Sequence, residues 1–331
     1  MIFKRWLKYF AALLFHYSGF NSWSLKRSRR HYILMFHRIE EGKDLLNISL
    51  PLRHLECVVA WAYSLGNLVS MSELIQSKSK NVRFCITFDD GFKNVLEING
   101  LSANFPCILY LATNYIDTNE RFWAVELERI ILASESTSID LSLFHLGSFD
   151  LSNNEKKEIA IRELNCGIKK HHPADIYAII EYLSITLNSE TCCATSNSFL
   201  CWEDIRSLAK NGMELGGHTH SHVISSMVTP DEFSSEINKS NQLILEETGM
   251  NAKHFAYPNG RAEDISVFSR EILIEEGYES AVTTIEGSNG IDEDPFYLKR
   301  FNVSKDRIVN PLGGASKAMF TTMLVNPINI H

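Results

Sequence analysis

The chain has 331 residues, 45% of them apolar and 22% charged, the composition of a soluble globular protein and not of a disordered chain, a collagen or a disulfide scaffold. The net charge of −8 is unevenly spread: Lys4, Arg5, Lys8, Lys26, Arg27, Arg29, Arg30 and Arg38 all precede the first acid, Glu40. The acidic remainder argues against a nucleic-acid partner, and the basic arm leaves open a peripheral contact with an anionic membrane surface.

Taken from the start, Phe3 to Phe15 reads as an amphipathic helix that packs on the protein's own body, with interfacial attachment as the alternative. Its apolar run, Tyr9 to Phe15, is too short for a transmembrane helix, which needs about 20 residues. No small-x-small cleavage site follows it. Tyr32–Phe36, Val82–Phe88 and Cys107–Leu111 are continuous apolar runs, as strands buried on both faces require. Leu52–Leu65 has helical spacing between the first two.

Trp123–Ala133, Asn154–Lys169 and Ala174–Leu187 read as helices of an insertion, about 117–200, that breaks the strand–helix rhythm. The rhythm resumes with a helix at Trp202–Lys210 stopped by Asn211-Gly212, then a strand at Met213–Gly217. Pro230–Thr248 is a helix with Thr229 as N-cap, and Asp264–Glu276 a helix closed by Gly277. His254–Tyr257, Tyr278–Thr283 and Leu298–Val303 are further strands. Such alternation implies a parallel α/β sheet, open or closed. The expected organisation is a basic arm (1–30), a barrel (31–305) carrying the insertion, and a C-terminal tail (306–331).

Seven cysteines, Cys57, Cys85, Cys107, Cys166, Cys192, Cys193 and Cys201, form no C-x-x-C pair. An odd count without spacing suits a reduced, cytoplasmic chain, peripheral at the inner face of the membrane if the arm attaches. The vicinal Cys192 and Cys193 read as ordinary thiols in preference to a switch.

Three polar clusters stand at C-terminal strand ends, the edge where parallel α/β folds build their sites. In Thr87-Phe88-Asp89-Asp90-Gly91, two adjacent carboxylates repel unless a cation or a proton divides their roles. In Gly216-Gly217-His218-Thr219-His220-Ser221-His222, His218 and His222 can face one ion, and His220 between them points away. In Tyr257-Pro258-Asn259-Gly260, a rigid turn can offer backbone N–H groups to an oxyanion. Asp90, His218 and His222 make an O,N,N ligand set with open positions, suited to a divalent metal: Zn²⁺, with Co²⁺, Ni²⁺, Fe²⁺ or Mn²⁺ as alternatives. Asp89 is left free as the base.

With these motifs the chain resembles the polysaccharide deacetylase family (NodB-homology, carbohydrate esterase family 4). TFDDG (Thr87–Gly91) is similar to its first motif and HTHSH (His218–His222) to its second. The resemblance implies a distorted (β/α)₇ barrel, Asp89 as catalytic base, and metal held by Asp90, His218 and His222. Four family features are missing. Ala256 stands where the third motif carries arginine, Asn259 replaces its aromatic, no D-x-x-D-W fourth motif is found, and no histidine follows the late strand.

Ile33-Leu34-Met35-Phe36-His37-Arg38 resembles the opening strand of the exopolysaccharide and poly-N-acetylglucosamine branch, which implies His37 as the general acid. Arg300 matches a softer position of that branch and is expected to orient Asp89 or bind substrate, alongside Tyr257, Pro258 and Asn259. The expected activity is metal-dependent removal of an N-acyl group, acetyl first, from an amino sugar of a polysaccharide or its precursor in surface-polysaccharide metabolism. The alternatives are a glycan-binding pseudoenzyme of the same fold, a non-haem iron oxygenase using the same ligand set, and a deacylase of a lipid-linked sugar.

Overall fold

A strand covered on both faces needs apolar side chains at every position, and the apolar runs supply them. The computed structural model describes residues 2–42, 45–76, 78–101, 105–188 and 198–325. Its strands are β1 (His31–Phe36), β2 (Asn67–Leu68), β3 (Arg83–Phe88), β4 (Cys107–Leu111), β5 (Ser138–Asp140), β6 (Ser148–Asp150), β7 (Glu214–Gly217), β8 (His254–Ala256), β9 (Ser280–Glu286) and β10 (Leu298–Asn302). Seven of these run parallel in the order β1-β3-β4-β7-β8-β9-β10, and β10 pairs back onto β1. The sheet is thereby a closed seven-stranded barrel of the NodB type, as the resemblance implied. The short β2 pairs with the first residues of β3, below the stretch that pairs with β4.

Side chains alternate in and out of the barrel with a period of two. Ile33, Cys85, Ile108, Tyr110, Ala256, Val282 and Leu298 form one apolar cluster that fills the interior. Their neighbours Leu34, Phe36, Phe84, Ile86, Phe88, Leu109, Leu111, Phe255 and Phe301 belong to the larger outer layer. That layer packs against helices Leu52–Leu65, Trp202–Lys210 and Pro230–Thr248, whose buried faces include Val58, Ile205 and Ile237.

The helix ends follow from local chemistry. Thr229 accepts from the Glu232 N–H at 3.3 Å, and the Glu232 carboxylate accepts the Thr229 N–H at 2.7 Å, a reciprocal cap. Gly249 closes the same helix in the left-handed conformation. One expectation needs correction. The helix read at Asp264–Glu276 is split into a single turn, Ala262–Asp264, and a short helix, Ser269–Glu275. The Ser225 hydroxyl explains the break: it donates to the Asp264 carbonyl and accepts the Ser266 N–H, both at 3.0 Å, replacing the ladder.

Between β4 and β7 the chain leaves the barrel. It forms helices Trp123–Ala133, Asn154–Ile168 and Pro173–Thr186 and the antiparallel β5–β6 ribbon, around a separate apolar cluster that includes Leu127, Leu164 and Ile179. The segment returns beside the barrel mouth, where Phe199 stacks on Phe92 and Leu200 N–H donates to the Gly91 carbonyl. The described cysteines, Cys57, Cys85, Cys107, Cys166 and Cys201, are free thiols; Cys192 and Cys193 lie outside the described residues.

The N-terminal arm is two helices, Ile2–Tyr17 and Phe20–Ser28, packed on a C-terminal helix, Lys317–Val325. Asn21, fully buried, donates to the hydroxyls of Thr321 and Thr322 at 3.0 and 2.8 Å. Phe320 of that C-terminal helix packs on Trp61, which joins the arm to the barrel's helical layer.

Candidate metal centre and active site

Strand parity brings the polar residues together. In β1, Ile33 and Met35 share inward parity with His37; in β3, Cys85 and Thr87 share it with Asp89. In β7, Gly216 shares it with His218, and in β10, Leu298 shares it with Arg300. Each site residue thus continues, at the strand's C-terminal end, the row of side chains that fills the interior below. Asp90, one step past Asp89, turns inward because its backbone adopts φ 73°, followed by Gly91 at φ 92°. Thr219 (φ 60°), His222 (φ 58°) and Asn259 (φ 59°) also sit in the left-handed region. Four non-glycine residues in this sparsely populated conformation, all at one barrel end, mark backbone held under strain to aim side chains.

The first motif's two carboxylates have different surroundings. Asp89 is clamped by Arg300, whose guanidinium donates to both carboxylate oxygens at 2.7 Å. The same guanidinium donates to the Thr87 hydroxyl at 3.1 Å and the Thr283 carbonyl at 2.8 Å, at 1% exposure. Burial alone would push the Asp89 carboxyl up; the charge and hydrogen bonds of Arg300, with His218 and His37 nearby, together outweigh it and hold the group below the usual carboxylate range. Asp90 instead faces histidines. Its Oδ1 is 3.3 Å from His218 Nε2 and 3.2 Å from His222 Nε2. Burial again raises its carboxyl, and the two imidazoles more than reverse that, to well below the usual range.

Three observations test whether this cluster suits a cation. The ligating atoms of Asp90, His218 and His222 all lie within 4.8 Å of one another. Two donors about 2.0–2.1 Å from a tetrahedral ion are separated by about 3.3 Å, close to the carboxylate–imidazole separations here. Asp90 Oδ1 is buried without a hydrogen bond, and His218 Nδ1 donates to the Ala256 carbonyl at 2.6 Å, which leaves Nε2 for the ion. The residues fit a divalent metal. His220, by contrast, turns to the Thr113 hydroxyl at 2.9 Å, and burial lowers its imidazole to about 4.

His37 lies beside this pair of carboxylates. Burial lowers its imidazole, while Asp90 and Asp89 pull it upward, and its Nδ1 is buried without a hydrogen-bond partner. The third cluster is divided. Asn259 is at the site's edge: its side-chain oxygen accepts from Lys169 Nζ at 3.0 Å and its side-chain nitrogen donates to Asp264 at 2.5 Å. Pro258 is buried at the turn before it. Tyr257 is not part of the site. Directly after β8 it continues the outward parity of Phe255, and its ring packs on Phe255 and Tyr297 in the outer core, away from the substrate-contacting set.

Sequence reasoning missed three contributors. Thr87 was legible from strand parity with Asp89. Phe122, whose ring meets His222 edge-on at 4.9 Å, and Lys169 both come from the insertion and carried no local signal. Burial pushes the Lys169 ammonium down. A cleft lined by Trp123, Lys169, Tyr177, Ser221 and His222 opens next to the ligands, between insertion and barrel.

The glycines before the second motif are a packing requirement. A Cβ on Gly216 would lie 2.5 Å from the Tyr110 ring and 2.6 Å from the His254 carbonyl. Gly216→Ala is expected to cost about 1–3 kcal/mol by overpacking, read as a lower urea midpoint.

The family whose model matches this chain is described as polysaccharide deacetylase, over residues 169–280. A comparison with curated proteins finds no match. Similar solved structures include the Streptococcus pyogenes deacetylase PplD in complex with acetate: 14% identity, 86% of this chain and 95% of that one, TM-score 0.51. IcaB from Ammonifex degensii is 15% identical over 84% of this chain and 93% of its own, with a TM-score of 0.53. A de-N-acetylase from Aggregatibacter actinomycetemcomitans is 14% identical over 89% of this chain and all of its own, also at 0.53. At these identities the likeness is one of fold. The matched segment holds the second motif, the first motif stands beside it in space, and the barrel is of the NodB type: residues 169–280 are similar to the polysaccharide deacetylase family, and the fold around them is the one that resemblance implies.

Proposed function

We propose that the chain hydrolyses the N-acyl amide, acetyl first, of an amino sugar in a polysaccharide or its precursor, and that it serves surface-polysaccharide metabolism. The observation that carries this reading is the pairing of a three-ligand cluster with an Arg300-clamped carboxylate one residue away. A divalent cation, Zn²⁺ before Co²⁺, Ni²⁺, Fe²⁺ or Mn²⁺, would supply Lewis acidity there, lowering the pKa of a water and polarising the acyl carbonyl.

The chain's own residues do the rest. Asp90, His218 and His222 would hold the ion. Arg300 fixes both oxygens of Asp89, so the carboxylate accepts the attacking water's proton on a lone pair outside the clamp. His37 protonates the departing nitrogen, which an amide requires because an amide anion leaves poorly. The backbone near Asn259 faces the developing oxyanion. Phe122 covers His222 and excludes water from that side. A carbohydrate enters by the cleft along Trp123 and Tyr177.

The missing third-motif arginine and the missing late histidine are the grounds for the alternative of an inactive glycan binder. Arg300 reaching the base from β10, and His37 beside the two carboxylates, support the active reading over it. No helix among the described residues is long and apolar enough to cross a membrane. A cytoplasmic enzyme, peripheral at the inner face of the membrane, is supported by free described thiols and by the basic arm.

The test is acetate release from N-acetylglucosamine oligomers by metal-free protein, before and after each of these divalent ions is added. Ion-dependent release supports the reading; release unaffected by stripping or adding ions ends it.

A further inference from the structure

The helix Ile2–Tyr17 carries an apolar stripe that no described segment covers. Phe3, Leu7, Phe10, Leu14 and Tyr17 are 80, 61, 59, 69 and 81% exposed. Spaced by four and three residues, they fall within an arc of about 80° at 100° per residue. The face that packs on the body is the opposite one, where Ala12 is buried and His16 Nδ1 is 3.4 Å from the Thr321 hydroxyl. The helix is therefore apolar on two sides, and only one side is satisfied by its own chain. In the following helix Phe20 and Trp23 are also exposed and extend the apolar surface.

The arm's own charge is of one sign. Lys4, Arg5 and Lys8 are on the first helix, Lys26 and Arg27 are in the last turn of the second, and Arg29 follows it, while Arg30 is paired with Glu293; no acid precedes Glu40. Arg27 lies over the Trp23 ring at 5.5 Å. A protein partner would need a matching acidic rim, and a second copy of this arm would bring cations against cations. A bilayer surface with anionic headgroups satisfies both features. Aromatic and leucine side chains enter the acyl boundary while lysine and arginine stay among the phosphates.

We infer that the exposed Phe3–Leu7–Phe10–Leu14–Tyr17 stripe, with its surrounding cations, is a docking surface for an anionic lipid bilayer. The inference is independent of the deacetylase reading, since no residue of the arm enters the site. Its consequence is peripheral attachment: the helix lies in the plane of the interface and does not span it.

The experiment is co-sedimentation of the full chain with vesicles of phosphatidylcholine, with and without phosphatidylglycerol, at low and high salt. The expected result is binding to the anionic vesicles, weakened by salt. Phe10→Asp/Leu14→Asp is expected to reduce the partition coefficient about tenfold or more. Lys4→Glu/Arg5→Glu/Lys8→Glu is expected to remove the preference for the anionic vesicles. Because Phe10 and Leu14 are outside the packed face, the melting midpoint of Phe10→Asp/Leu14→Asp stays at the wild-type value, and that of the charge variant, whose Lys8 is half-buried, is measured beside it. Hydrogen exchange of the wild-type chain gives a measure without mutation: anionic vesicles are expected to slow exchange in residues 3–17 and leave the barrel unchanged. Absence of vesicle binding, binding unaffected by Phe10→Asp/Leu14→Asp, unchanged exchange in residues 3–17, or a dimer that this variant dissociates would each overturn the inference.

Discussion

Asp89→Asn is expected to abolish amide hydrolysis while the protein keeps its metal, and His218→Ala to lose the metal itself. The two carboxylates are neighbours in sequence, but only Asp90 is held among imidazoles, with Oδ1 3.2–3.3 Å from two Nε2 atoms. Asp89 spends both oxygens on Arg300 and belongs to no ligand cluster among the described residues. Asn at position 89 preserves shape but cannot accept the proton, and loss of one such transfer costs about 10²–10⁴-fold in rate. The measurements are metal content by elemental analysis beside acetate release. Loss of metal from Asp89→Asn, or full activity in either variant, would reverse the assignment of roles.

The second large effect is expected at Arg300. Arg300→Ala leaves the Asp89 carboxylate buried with its bidentate partner gone, a change that costs about 3–5 kcal/mol for a buried pair. Burial, now unopposed by the guanidinium, raises the carboxyl, and the base loses its fixed orientation. Stability in urea and turnover should therefore fall together. Arg300→Lys keeps a charge but not the fork that also reaches Thr87 and Thr283, so it recovers stability more than activity. Ala256 provides a sharper check. It shares the barrel interior, at the position where the resemblance to the family would place an arginine. Ala256→Arg in the Arg300→Ala background should restore part of the lost turnover, since Ala256 lines the interior in one cluster with Tyr110, the ring over which the Arg300 guanidinium lies. The same substitution in the wild-type chain should only overpack the interior. No recovery in the double variant would show that the clamp works only from β10.

These two experiments separate the clamp from the ligands, which share one crowded barrel end. The strained backbone at Asp90, Thr219, His222 and Asn259 is tolerated there because the strands beneath are packed on both faces. The insertion completes the centre from the side, with Phe122 against His222 and Lys169 on Asn259. Its separate apolar core gives it a stable platform from which those two side chains reach the barrel.

Much of this was legible in the residues alone. The apolar runs at Tyr32–Phe36, Val82–Phe88 and Cys107–Leu111 could be stable only as doubly covered strands, and helical spacing between them required parallel crossovers. The Asp-Asp-Gly and histidine clusters at strand ends carried the chemistry, because such residues concentrated at one barrel edge have few other physical explanations. Tertiary structure decided the rest. Whether Arg300 bound substrate or clamped the base depended on closure of β10 onto β1 and β9, which no local pattern encodes. The role of Tyr257 turned on a one-residue parity that sends it outward. The split at Ile265–Phe268 came from a hydroxyl, Ser225, some forty positions away. The arm's helix could be read from its periodicity, but which apolar face would be covered depended on where the helix Lys317–Val325 came to rest. Periodicity and turn chemistry act over a few residues and so are written in the chain; the partners of a side chain across a closed barrel are set only when the ends of that barrel meet.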